Sequence, residues 1–274
     1  MARLRSWFVI MKFLKALTGS ILLLAILFVW VSPANAAVSI DTSTTGTQGN
    51  TNSTTFAFTV SGSCANPVLI VAVSSEDSVA ADQVITGVTF NSDSLTNIRT
   101  DTEATRRSEM WQIAPPDTGS SFNIVVSYTG FVARKVYGAA SFCGVDQVSP
   151  IEDHDGTTGT TGDPSLTLTA SVPGTTIVDN IAVDGLAGLT LTADGSQTEM
   201  WDAMLDNQIA GSASRLDLAS SGNQSVGYAI SSDFSYGYSA VMLRPSEVPA
   251  SLPVPDLIIN NGIFWINNGT LKLQ

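Results

Sequence analysis

Two glutamates, each two residues ahead of a tryptophan, are the residues of this sequence whose spacing most resembles catalytic chemistry. Glu109 lies in Ser108-Glu109-Met110-Trp111 and Glu199 in Thr198-Glu199-Met200-Trp201. Two carboxyls flanking a bond are what glycoside cleavage uses, one as acid and the other as base or nucleophile. An indole beside each could stack on a sugar. In a strand, alternation puts Glu and Trp on one face and Met on the other. The plainer account is an exposed glutamate beside a packing tryptophan. The repeated tetrapeptide then marks either equivalent strands in two halves of a sandwich or a coincidence in a Ser/Thr-rich chain.

The remaining candidates are sparser. His154 is the single histidine. A Ser-His-acid hydrolase needs an imidazole oriented by a spatially adjacent acid, and Asp153 and Asp155 are only its neighbours in sequence. No Gly-x-Ser-x-Gly elbow accompanies it, so it reads as a solvated residue of a loop over 151–164. In that loop Asp153, Asp155 and Asp163, with Gly156, offer oxygens to calcium. Three acids fall short of the six or more oxygens a hard cation takes, and Asp and Gly also simply make turns. Glu76, Asp77 and Asp82 form a second acidic stretch with the same ambiguity. A glycan platform needs exposed aromatic faces; Trp111, Trp201, Tyr228, Tyr236 and Tyr238 are the candidates, and core packing accounts for them equally well. No cofactor is called for beyond the Ca2+ option, and the enzyme reading ranks third.

The N-terminal region sets the compartment. Arg3, Arg5, Lys12 and Lys15 are the only charges before Asp41, and an apolar run from Ile21 to Val31 leads to Ala34-Asn35-Ala36. A basic start, a short apolar core and small residues describe a secretory signal over 1–36, with Met1 or Met11 as the start. The apolar run is shorter than the ~20 residues of a membrane span. The mature chain is expected outside the cell, at its surface or in a periplasm, with no span of its own. It keeps eight basic against 24 acidic residues, a balance of −16, which disfavours nucleic acid and anionic lipid as partners. The two cysteines, Cys64 and Cys143, are expected to pair, closing a loop worth about 4.5 kcal/mol by the chain-entropy model; two buried thiols are the alternative.

Over 37–245 the pattern is β throughout. Thr55–Val60 and Ile85–Phe90 alternate. Pro67–Ser74 is continuously apolar, as expected of a strand covered on both faces. Further strands are expected near 94–98, 107–113, 122–128, 135–142, 165–169, 176–183, 199–204, 214–218, 224–230 and 237–243. Gly, Asn, Asp, Pro and Ser separate them. Short strands punctuated in this way predict an antiparallel sandwich or barrel, and Ala80–Gln83 is at most one helical turn. A linker over 246–256 carries Pro249, Pro253 and Pro255 and is stiff and extended. The tail over 257–274 repeats every seven residues: Leu257, Phe264 and Leu271 align, as do Ile259, Ile266 and Leu273, with Trp265 beside them. Each Asn-Asn-Gly between is a tight-turn signal, so three short strands are expected.

The stretch from Val68 to Pro245 carries Ile85-Thr86-Gly87-Val88-Thr89-Phe90, Glu109-Met110-Trp111 with Pro115-Pro116, and Tyr137-Gly138-Ala139-Ala140-Ser141-Phe142. Gly144-Val145-Asp146-Gln147, Pro150-Ile151 and the closing Ser239-Ala240-Val241-Met242-Leu243-Arg244-Pro245 follow. In these positions it resembles the secreted jelly-roll modules of bacterial surface proteins, large adhesins and phage tail proteins. The resemblance implies a jelly-roll sandwich and display or adhesion rather than catalysis, and it supplies no active-site residue. The expected function is therefore a secreted structural or adhesive protein, a subunit of a filament or surface assembly. Its tail would contact another copy or another surface protein. A carbohydrate-binding module is the alternative and a glycoside-active enzyme the third reading.

Overall fold

The computed structural model describes residues 36–160 and 162–247, with the backbone of three short segments farther on. The expected leader (all but Ala36), most of the linker, and Leu257 and Phe264 of the tail fall outside these residues. The residues from Asn35 to Pro249 form one compact unit.

The apolar runs become β1 (Ser39–Thr59), β2 (Val68–Glu76), β3 (Ile85–Phe90), β4 (Asp93–Ser94), β5 (Thr96–Glu103), β6 (Arg106–Ile113), β7 (Ser121–Cys143) and β8 (Ile151–Gly159). They continue as β9 (Ser165–Ala170), β10 (Thr176–Asp184), β11 (Leu191–Ala193), β12 (Thr198–Leu205), β13 (Ile209–Asp217), β14 (Gly222–Ile230) and β15 (Tyr236–Leu243). One 3₁₀ turn at Ala80–Gln83 is the only helical element among the described residues. Beyond the body, β16 (Ile258–Ile259), β17 (Trp265–Asn267) and β18 (Thr270–Leu273) form a small sheet of their own, β18 lying between the other two. The fold is all-β, and every pairing in the body is antiparallel.

The first sheet runs β4-β3-β7-β2-β6-β5, with β1 along the opposite edge of β7. The second runs β12-β13-β10-β15-β8 and the third β11-β14-β9. Three apolar cores follow. One lies inside the first sheet, which curls so that Val88 and Phe90 of β3 meet Leu69, Val71 and Val73 of β2. Another joins the first sheet to the second through Val68, Ile70 and Ala72 of β2 and Val178, Val241 and Leu243. The last joins the second sheet to the third. Strand β2 is thus buried on both faces along its whole length, as its unbroken apolar run predicts. Strands β10 and β15 are enclosed in the same way.

Three features differ from the sequence reading. The strand expected to begin at Thr55 starts at Ser39 instead and runs through the Ser/Thr-rich residues before it as one strand, β1. The strands expected at 122–128 and 135–142 are also one, β7, paired with β1 from Cys143 back to Ser121. The stretch from Ile151 to Gly159, expected as a loop, is strand β8 on the edge of the second sheet, paired to β15. Its polar composition suits an edge, where one face and one side meet water. The disulfide joins Cys64 to Cys143, with Cα atoms 5.2 Å apart.

The union of the two halves of β7 depends on a bend. Between Thr51↔Val132 and Ser53↔Ser127, β7 advances five residues while β1 advances two. The extra residues would leave backbone groups without ladder partners, at a cost for each buried group. Lys135, fully buried, fills this place. Its Nζ donates to Thr51 O (2.8 Å), Thr51 Oγ1 (2.9 Å) and Val132 O (3.1 Å) and lies 5.1 Å from the centre of the Tyr128 ring. Asp77 Oδ2 accepts the Ala133 N–H at 2.7 Å. At Gly130 a Cβ would stand 2.3 Å from Asp82 Oδ1, so the bend admits no side chain there without displacing Asp82. Burial lowers the Lys135 pKa to about 8.

Lys135→Met keeps the stem of the side chain and removes the donor. Each stranded acceptor costs about 1–3 kcal/mol, so unfolding in urea is expected to show a loss of about 2–4 kcal/mol. A loss well below 1 kcal/mol would mean that the bend does not depend on the amine.

Candidate functional site

Strand β6 has the alternation expected of it. Met110 faces the second sheet while Glu109 and Trp111 face the core inside the first. Glu109 is 1% exposed. Its Oε2 accepts Trp111 Nε1 at 3.0 Å and Asn97 Nδ2 at 3.3 Å, and its Oε1 accepts Arg107 Nε. Burial raises its pKa, against the opposing pull of Arg107. A carboxyl with a raised pKa is the kind an acid catalyst uses, but no substrate can reach a group so enclosed. Strand β12 departs from the alternation. Glu199 pairs with Ser214 and Trp201 with Ala213, leaving Met200 as the extra residue of a bulge. Glu199 therefore points into solvent while Trp201 turns into the core between the first two sheets. There it lies over Gly138, where a Cβ would be 2.5 Å from its ring. The echoed tetrapeptides thus present their glutamates to different surroundings.

The aromatic candidates are enclosed as well. Trp111, Trp201, Tyr228, Tyr236 and Tyr238 are all buried, at 9% exposure or less. A stacking platform needs an open ring face, so these rings serve the cores.

The acids of the 151–163 stretch cap backbone instead of gathering. Asp153 Oδ1 accepts the His154 N–H at 2.9 Å and its Oδ2 the Thr169 N–H at 3.1 Å. Asp155 Oδ1 accepts the Gly156 N–H, and Asp163 Oδ1 the Ile230 N–H, each at 2.8 Å. His154 is exposed on β8 opposite Val241. Among the described residues, the one cluster of three metal-type ligands is Asp41, Cys64 and Cys143, and both of its sulfurs are in the disulfide.

The strongest polar constellation lies where the sequence reading placed only a strand. Asp179 interrupts the apolar run of β10 and is 1% exposed. Its carboxylate accepts the Ser214 N–H (2.7 Å) and Ser214 Oγ (2.9 Å), Tyr238 OH (2.9 Å), Tyr228 OH (3.1 Å) and Gln197 Nε2 (2.7 Å). Gln197 Oε1 in turn accepts the Gly227 N–H at 2.7 Å. Asp179 thereby ties β13 and β15 of the second sheet to β14 of the third. Asn180, on the opposite face of β10, binds the first sheet: its Nδ2 donates to Ser108 Oγ at 2.8 Å, and Ser74 Oγ donates to Ile181 O at 2.9 Å beside it. The signal for this pair was present in the sequence as two polar residues within Ile177–Val183. Burial raises the Asp179 pKa to about 6 against the pull of its donors.

At the surface a polar cleft of about 400 Å³ is lined by Thr89, Asn91, Ser92, Ser121, Phe122, Asn123 and Val125. Asn91 is fixed there by donating to Asp117 Oδ2 at 2.6 Å. Compared with models of protein families, the chain matches none. Compared with curated proteins, it has no match either.

The buried carboxyl gives a pH dependence of definite sign. Its folded pKa of about 6 lies above its ordinary value of 3.8. Its stabilising contribution is therefore complete below about 4 and is lost as the pH rises through about 6. Relative to Asp179→Asn, the wild-type chain is expected to gain about 2 kcal/mol in urea unfolding between pH 7 and pH 4.5. Parallel pH profiles for the two proteins would contradict this assignment.

Proposed function

We propose that this protein is a secreted structural or adhesive surface protein, a subunit of an extracellular filament or surface assembly. Its body is a jelly-roll sandwich elaborated by a third sheet, and its C-terminal segment makes the contact between subunits. The observation that carries this reading is the contrast between body and tail. The body is acidic, and its two tryptophans, most of its other aromatic rings and most of its buried polar side chains are engaged internally, with Phe131 an exposed exception. The segment over 257–274 is apolar, carries Lys272 as its only charged side chain and follows a proline-rich linker. Apolar β segments of six or seven residues without proline are adhesive when exposed, and adding strands to a neighbour is a common way of covering them. The basic, apolar and small-residue succession over 1–36 and the Cys64–Cys143 bridge support export to an oxidising compartment. The likeness of 68–245 to adhesin and tail-protein modules points the same way.

A second reading, binding of a neutral glycan, is favoured by the cleft between Asn91 and Asn123, whose hydroxyls and amides beside Phe122 suit a sugar. On a glycan array, Asn123→Ala is expected to abolish any binding seen with the wild-type chain; binding that survives would remove the cleft from consideration. For the main reading, deletion of residues 257–274 is expected to convert an assembled species into a monomer by light scattering. A full-length chain that is already monomeric at high concentration would overturn it.

A further inference from the structure

Exposed strand edges invite pairing with other chains, and native sheets blunt them with charge, proline, short strands or covering groups. Most edges of this protein are blunted. Strand β4 has two residues and β11 has three. Strand β5 carries the Arg99–Asp101 ion pair, and β8 carries Glu152, Asp153 and Asp155. On β9, Glu152 Oε1 accepts the Ser171 N–H just past the strand, and Asp153 Oδ2 accepts that of Thr169. Strand β12 is bulged and carries Glu199 and Asp202.

Strand β1 is the exception. It is 21 residues long and is hydrogen-bonded to β7 on one side, with β12 of the second sheet packed near it. From Thr42 to Thr59 it has neither a charge nor a proline. Its one acid, Asp41, is turned inward to accept the Ser61 N–H (2.9 Å) and Ser141 Oγ (2.8 Å). Exposed Ser43, Thr45 and Thr47 alternate along it with half-buried Thr44 and Gly46.

We infer that the outer edge of β1 is the acceptor for the C-terminal segment of a second copy, which adds β17, an outer strand of its small sheet, to that edge. The inference rests on the reading of the tail as an assembly element and names the surface it meets. Electrostatics select this pairing. Two chains of net charge −16 after loss of the leader repel, so contact is least opposed where both sides lack negative charge. The β1 edge is uncharged from Thr42 to Thr59, and the tail carries only the positive Lys272, which an acidic body does not repel. The proline-rich stretch over 246–256 would reach roughly 30 Å if extended. A tail-to-edge contact is heterologous, so repetition makes a chain of subunits; an edge-to-edge contact between two β1 strands would close as a dimer.

Two measurements on the full chain test this. Ser43→Lys/Thr47→Lys places two charges on exposed positions of β1. It is expected to lower the assembled fraction at least tenfold in light scattering, with circular dichroism and thermal midpoint unchanged. In the second, Thr47→Cys in one preparation and Ile266→Cys, on the outer strand β17, in another are mixed under mild oxidation. A mixed dimer linked between the two new cysteines is the expected product, since Cys64 and Cys143 are already joined. A Thr47→Cys homodimer as the only product, or undiminished assembly by a folded lysine variant, would overturn β1 as the acceptor while leaving the tail's role intact. Monomeric wild-type protein would overturn both.

Discussion

The bend in β7 is the constraint on which the rest of the body depends. One strand of 23 residues serves β3 with its first half, β2 with its second and β1 with nearly all of its length. Without the bend, β3 could not fold over β2 to enclose the first core. The extra residues that make the bend also expose backbone oxygens inside the protein, and Lys135 answers them with a buried ammonium. A buried charge is costly unless its donors are used, and here three hydrogen bonds and the face of Tyr128 use them. Asp77 does the same for a freed N–H from the opposite sign of charge.

A second polar device runs through β10. A strand covered on both faces has no solvent into which to turn a polar side chain, so Asp179 and Asn180 must find partners inside. They do so in opposite directions, one toward the third sheet and one toward the first. Apolar packing alone tolerates sliding of one sheet over another, because it is not directional. Hydrogen bonds from adjacent residues to two different sheets fix the register of all three. Nearby, Arg106 pairs with Glu76 of the first sheet and Asp184 of the second, adding a further tie at the end of the layers.

The acids that suggested chemistry are accounted for by the same need. Asp153, Asp163 and Glu152 satisfy backbone N–H groups at the ends and margins of strands, and Glu109 organises Arg107, Trp111 and Asn97. With so many of the chemically capable groups engaged in holding the sheets, the body is left with a polar cleft and an uncharged strand edge, and the sequence adds an apolar tail. Those are materials for contact more than for turnover, which is why assembly is the reading we favour over catalysis.

Much of the fold was legible because strand alternation and turn residues are local properties. The unbroken run of β2, the alternating β3 and β6, and the single turn at Ala80–Gln83 could be read directly, as could the pairing of two cysteines. What could not be read was set by partners distant in sequence. Nothing local says that β1 and β7 are each continuous, because their continuity comes from pairing with one another across 62 to 104 residues. Nothing local says that Ile151–Gly159 is a strand, because its conformation is imposed by β15. Trp111 and Trp201 have the same neighbours, yet a bulge set by β13 sends the second to a different core. The sequence by itself determined the class of fold, the acidity of the surface and the sites of the turns, since these follow from residue types and their spacing. Only the tertiary structure decided which polar groups are buried, which edge stays open and which aromatic rings are hidden, since burial is a property of what arrives from elsewhere in the chain.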